Sequence, residues 1–167
     1  QQFGFVSDTP DHFLRLKGIE YLNFLADIYD VPSQNRRLLI ETYAQRFVLT
    51  DALNDRILSY SHGMRQKVMV IGALLHNPSV WILDEPLTGL DPNAAFILKE
   101  MMKEHVAAGN SVLFSTRVLE VAEKLCDQVG IINKGKLIFQ GTLDQLKAKY
   151  PEESSLEQIF LEMTQYA

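Results

Sequence analysis

The chain has 167 residues, of which 47% are hydrophobic and 22% charged, and it carries a formal net charge of −5. That length and balance suit a globular domain with a sizeable core. The scattered Lys and Arg residues form no basic stripe that would follow a phosphate backbone, which removes nucleic acid as the first partner to consider.

The elements follow in chain order. Phe3 to Val6 is a short apolar cluster that reads as a strand end, and Pro10 marks the polar turn after it. From Gly18 to Tyr29 the residues Ile19, Leu22, Leu25, Ala26 and Tyr29 recur at spacings of three and four, which predicts one helical face. A second helix is expected from Ser33 to about Phe47, with Ser33 as N-cap and Leu38, Leu39, Ile40, Tyr43 and Phe47 as its buried side. After Ser61 a helix from about Gly63 to Leu75 leads through His76-Asn77-Pro78 to Val80–Leu83, a run too short for a helix and read as a buried strand. Further on, the pattern predicts a helix from about Asn93 to Ala107, a buried strand in "SVLFST" and a helix from Val118 to Leu125. Then come a hairpin of Gln128 to Asn133 with Lys136 to Gln140, and helices at Leu143 to Lys149 and Leu156 to Thr164. Strands alternating with helices imply a parallel α/β sheet, and the two consecutive early helices imply a helical insert.

Several residues are set aside. Cys126 is the one cysteine and cannot close an intrachain disulfide, and the N-terminal residues lack the order of a signal peptide; both favour a reducing, cytoplasmic setting. Val68 to Leu83 is the longest uncharged stretch and is too short and interrupted to cross a bilayer, so a membrane link is expected through a partner. His12, His62, His76 and His105 show no metal-ligand spacing, and Met64, Met69, Met101 and Met102 read as helix packing.

The chemistry concentrates in "VWILDEPLTGLDP", Val80 to Pro92, where a buried strand delivers two carboxylates, Asp84 and Glu85. Open α/β sheets bind ligands at that end of a strand. In phosphate chemistry one carboxylate can hold Mg²⁺ and the next can take a proton from an attacking water. Alone, the pair would equally serve to end a strand. It is preceded, however, by "YSHGMRQK" and followed by "TGLDP".

These three blocks, in this order, resemble the ATP-binding subunit of ABC transporters. "VWILDEP" matches the family's Walker B segment, "TGLDP" its D-loop and "YSHGMRQK" a variant of its signature motif. The resemblance implies that Asp84 serves the metal, that Glu85 is the general base and that Asp91 lies at a dimer interface. It also implies that Ser61, His62, Gly63 and Met64 approach the terminal phosphate of ATP held by an opposite subunit. Ser61 stands before a helix N-terminus, which suits an anion, and the rival reading is a plain N-cap. "FGFVSDTPDHF" resembles the family's Q-loop segment, with Asp8 where Gln or Glu is usual; the readings are a metal contact through water and a surface turn.

Two departures stand out. No GxxxxGK[ST] phosphate loop is present, and Gly135-Lys136, which comes closest, leads to Leu137 in a hairpin turn. The chain is therefore expected to be the C-terminal part of such an ATPase. In "LFSTRVLEVAE", Arg117 occupies the place of the family's histidine. A guanidinium donates but accepts no proton. It would clamp a phosphate, mark a slowed site, or pair with Glu120, and all three readings stay open.

The fold class expected from this resemblance is α/β, a partial P-loop NTPase core with a parallel sheet plus an α-helical subdomain. Residues 1–17 would form the Q-loop segment, 18–76 the helical subdomain ending in the signature helix, 77–141 the second half of the core, and 142–167 the C-terminal helices. The implied cofactors are ATP and Mg²⁺. The implied partners are a transmembrane permease and a second ATPase copy in a head-to-tail dimer, with the subunit peripheral on the inner membrane face. The implied task is export of a drug, peptide or other hydrophobic compound, the isolated chain being inactive. Phe5, Phe13 and Tyr21 are the expected permease contacts. A soluble ABC ATPase outside transport and a degenerate regulatory module are the alternatives.

Overall fold

A computed structural model describes residues 2–9, 11, 13–150 and 155–165, so Pro10, His12 and the 151–154 linker lie outside the described residues. The chain divides into two units, Gln1–Ser115 and Thr116–Ala167.

The first unit holds a three-stranded sheet in the order β1-β2-β3, formed by β1 (Phe3–Val6), β2 (Val80–Leu83) and β3 (Ser111–Phe114), all parallel. The register pairs Val6 with Leu83 and Leu83 with Phe114, so the three strands end together. Its helices are α1 (Gly18–Ile28), α2 (Ser33–Arg46), α3 (His62–Leu74) and α4 (Pro92–Ala107). Helix α3 packs on β1, α4 packs on β3, and α1 and α2 pack on α3. Because it is enclosed on several sides, α3 is buried almost continuously from Val68 to Leu75, which explains why its sequence shows little helical periodicity. Gln66 on the same helix is 1% exposed, and its amide has no partner among the described residues.

One face of the sheet is covered. Val6, Trp81 and Leu83 are buried there, whereas Phe3, Phe5 and Leu113 on the opposite face are 58%, 63% and 62% exposed. The expectation of a fully buried third strand therefore needs correction: β3 is an edge strand with one covered face, and its burial alternates accordingly. Two readings of the early helices change as well. Pro32, not Ser33, is the N-cap of α2, with no side-chain bond to the helix. Its buried side is Ile40, Ala44 and the following Phe47, while Leu38 is 66% exposed. Burial of α1 runs through Tyr21, Leu22 and Ala26. Arg36 explains the tight α1–α2 connection, since its guanidinium donates to the Val31 carbonyl and pairs with Asp27.

The second unit contains α5 (Leu119–Leu125), an antiparallel hairpin of β4 (Val129–Asn133) and β5 (Lys136–Gly141), α6 (Leu143–Lys149) and α7 (Leu156–Gln165). Its core gathers Ile131, Phe139, Leu146, Leu156 and Ile159. Thr142 caps α6 by accepting from the Gln145 N–H while the Gln145 side chain returns to the Thr142 N–H, a reciprocal capping box. The C-terminal helix α7 packs on α5. No helix among the described residues is long and apolar enough to cross a membrane.

Candidate functional site

The common end of the three parallel strands gathers the acidic residues. The Asp84 N–H donates to the Val6 carbonyl at 2.9 Å and the Ser115 N–H to the Leu83 carbonyl at 3.0 Å, so the ladder extends one residue past β2 and β3. Side chains then take over. Ser115 Oγ donates to Asp84 Oδ1 at 2.5 Å and accepts from the Glu85 N–H at 2.9 Å. Glu85 has a φ of 44°, a left-handed conformation uncommon for a residue with a side chain, and the chain leaves the strand abruptly there. Both carboxylates are half-buried. Asp8, two residues beyond β1, lies at the same sheet end in an exposed bend, where its Oδ1 accepts from Ser7 Oγ at 3.3 Å.

The predicted signature residues form a second group, joined to the acid pair by the short segment 86–90. Ser61 is the N-cap of α3, its Oγ accepting from the Met64 N–H at 3.2 Å. Capping uses an oxygen lone pair and not the hydroxyl proton, so the two readings of Ser61 are compatible. Gly63 and Gly89 are there because the two turns touch. A Cβ on Gly63 would lie 2.9 Å from the Gly89 carbonyl oxygen, and one on Gly89, whose φ is +76°, would lie 2.4 Å from Cδ2 of His62. Asp91 caps α4 by accepting from the Ala94 N–H at 2.8 Å, and its other oxygen takes Lys67 Nζ at 3.1 Å. The Ala94 N–H, followed by Lys67, holds the Asp91 carboxyl below its usual range. Met64 is half-buried and Met69, Met101 and Met102 are buried.

Arg117 belongs to the second unit and is exposed. Glu120, its predicted alternative partner, binds Lys124 Nζ at 2.6 Å. Among the described residues no group of three or more His, Cys, Asp or Glu gathers in the manner of a metal cage. An isolated carboxylate pair of this kind fits Mg²⁺ better than a structural metal. Mg²⁺ keeps several waters and is held by one or two carboxylates together with substrate phosphates.

A separate surface lies where the chain enters α1. The Phe13 ring, at a φ of 58°, meets Tyr21 at 5.4 Å and Phe24 at 5.5 Å between centroids. Phe13 and Phe24 are 47% and 42% exposed and border an open concavity with Asp11, Leu14, Arg15 and Leu16. Tyr21 is buried, and that burial lifts its phenol above the ordinary range. Phe5 does not join this group, because it sits on the sheet face opposite α3. Arg65, from the first turns of α3, reaches Asp11 at 2.5 Å and donates to the carbonyls of Ile57 at 3.3 Å and Leu58 at 3.1 Å. The aromatic concavity and the signature turn therefore share one support. Sequence reading singled out neither Ser115 nor Lys67, whose partners lie 30, 31 and 24 positions away, nor Arg65, whose partners include Asp11, 54 positions away.

An acid pair at the end of a parallel sheet is thus tied through a glycine contact to a capped helix start, the arrangement that the resemblance to ABC ATPases led one to expect. Comparison agrees: the family model "ABC transporter" matches residues 1–88, and the chain belongs to that ATP-binding family. It is 34% identical to the ABC-type transporter ATP-binding protein EcsA of Bacillus subtilis over 98% of this chain and 66% of that protein. It is 32% identical to the daunorubicin resistance ATP-binding protein DrrA3 of Streptomyces coeruleorubidus over 80% of this chain and 42% of that protein. A solved ATP-binding subunit of an ABC transporter superimposes with a TM-score of 0.92 at 33% identity, over 97% of this chain and 68% of that one. The chain thus spans between 42% and 66% of the length of these curated relatives.

Proposed function

We propose that this chain is part of the ATP-hydrolysing subunit of an ABC transporter that exports a drug, peptide or other hydrophobic compound. The observation that carries the proposal is the braced Asp84–Glu85 pair at the end of β2, linked by segment 86–90 to the start of α3. Bound MgATP supplies the phosphoryl group and the cation that neutralises its charge. Asp84 would hold the metal side, with Asp8 assisting through water, and Glu85 would accept the proton of the attacking water. The start of α3, with Ser61, His62, Gly63 and Met64, would approach the terminal phosphate of a nucleotide on a second copy, and Asp91 would lie at that interface.

In this reading residues 18–76 are the helical subdomain, preceded in sequence by the Q-loop segment 1–17 and followed by the core segment that begins at residue 77. A membrane permease docks on the aromatic concavity, with Phe13 and Phe24 as its contacts and Tyr21 as the floor. The subunit sits on the cytoplasmic membrane face through that permease. The exporter assignment draws on similarity to a drug-resistance ATPase.

Without a phosphate loop, phosphates are not positioned, and positioning provides most of the catalysis in phosphoryl transfer. The chain alone is expected to show no ATP turnover. A full-length protein containing it and a phosphate loop is expected to hydrolyse ATP and to lose turnover in Glu85→Gln. A full-length protein that binds ATP without hydrolysing it supports instead the regulatory module to which Arg117 points. Turnover by the isolated chain that disappears in Glu85→Gln refutes the assignment of a missing cradle.

A further inference from the structure

We infer that Ser115 is a positioning residue for the acid pair: its hydroxyl sets the orientation of the Asp84 carboxylate and of the Glu85 backbone together. This inference rests on the hydrolytic role proposed above for those two residues. The geometry is specific. Ser115 Oγ gives its proton to Asp84 Oδ1 at 2.5 Å and receives the Glu85 N–H at 2.9 Å, so one hydroxyl fills both of its roles within the pair. Its own backbone N–H is already satisfied by the Leu83 carbonyl at 3.0 Å, and the strand ladder therefore needs nothing from the side chain.

Two consequences follow from the local conformation. Glu85 is held at a φ of 44°, which an unrestrained glutamate leaves readily for the right-handed or extended regions. The Ser115 contact pins the N–H of that residue while its carbonyl accepts from the Thr88 N–H at 3.1 Å, so losing the Ser115 bond loosens the strand side of the backbone that aims the Glu85 side chain. At the same time Asp84 loses the donor that fixes one carboxylate oxygen, leaving its rotation to solvent. Ser115 is exposed and the two acids are half-buried, so water can replace the lost bonds and the fold itself depends little on them. Positioning and stability are thereby separable at this residue.

The test uses Ser115→Ala together with the isosteric pair Ser115→Thr and Ser115→Val, which differ only in the hydroxyl. In the full-length ATPase, Ala and Val are expected to lower kcat by about ten-fold, the low end of what one hydrogen bond to a charged group is worth. KM for ATP should stay within about two-fold, and Thr should remain within about three-fold of wild type. In this 167-residue chain, hydrogen exchange at the Glu85 amide is expected to accelerate by at least about ten-fold in Ala and Val and not in Thr. Wild-type kcat in Val, a Thr variant as impaired as Val, or unchanged Glu85 exchange would each overturn the inference. If the full-length protein hydrolyses no ATP, the proposed function falls; the bridge is then refuted or upheld by the Glu85 amide, which reads it without turnover.

Discussion

Arg65 offers the sharpest test of how the entry to α1 is held against α3. Its guanidinium makes three contacts: the carboxylate of Asp11, the carbonyl of Ile57 at 3.3 Å and the carbonyl of Leu58 at 3.1 Å. They do not count equally. The Asp11 side chain is 64% exposed, so solvent screening limits that ion pair to about 0.5–1 kcal/mol. The two carbonyl bonds come from a charged donor whose side chain is only 20% exposed, and bonds of that kind contribute about 1.5–3 kcal/mol each. The longer Ile57 bond falls at the bottom of that range. Against this stands about 2 kcal/mol of rotamer freedom recovered when the arginine is removed. Arg65→Ala is therefore expected to destabilise the chain by about 2–3 kcal/mol, and Asp11→Asn by less than about 1 kcal/mol. Arg65→Lys, a point charge that cannot span two carbonyls, should recover less than half of the loss. The assay is urea unfolding followed by the fluorescence of Trp81, the chain's one tryptophan and fully buried in this unit. A loss below about 0.5 kcal/mol in Arg65→Ala, or an equal loss in Asp11→Asn, would refute the assignment of the stabilisation to the carbonyl fork.

Two further outcomes are expected. His105 is 9% exposed and packs edge-on against Trp81 at 5.6 Å; burial lowers its pKa from the ordinary 6.5, with a bond to the Pro78 carbonyl partly opposing the shift. The folded state therefore binds fewer protons than the unfolded one just below pH 6.5, so stability is intact above that pH and declines as pH falls through the window beneath it. Urea midpoints at pH 7.5, 6.5 and 5.5 should show the decline, and His105→Phe should reduce it, leaving the share of His76, whose pKa burial also lowers. Gly89→Ala is expected to cost about 1–2 kcal/mol from the left-handed backbone and the displaced His62 ring, read as a shift in the same midpoints. In a His62→Ala background only the backbone share should remain.

What could be read from the residues in order was local or carried by a dense motif. Val80–Leu83 is a short apolar run closed by two acids, and its strand follows from length and from the charges that end it. The start of α3 was visible because Ser61 is a capping residue, a contact between residues of one turn. Family membership was equally legible, since it rests on several ordered blocks.

Tertiary structure alone decided which apolar residues are inside and which polar groups meet. Leu38 and Leu113 belong to the same chemical class as Leu22 and Leu83, yet the first two face solvent and the second two are buried. The difference lies in whether another element covers that face, and periodicity carries no such information. The Ser115 hydroxyl and the Arg65 guanidinium find partners 30, 31 and 54 positions away because parallel strands end in register and α3 lies beside the entry to α1. Spacing along the chain records the turn of a helix and the pleat of a strand. It does not record which ends the packing of those elements brings together.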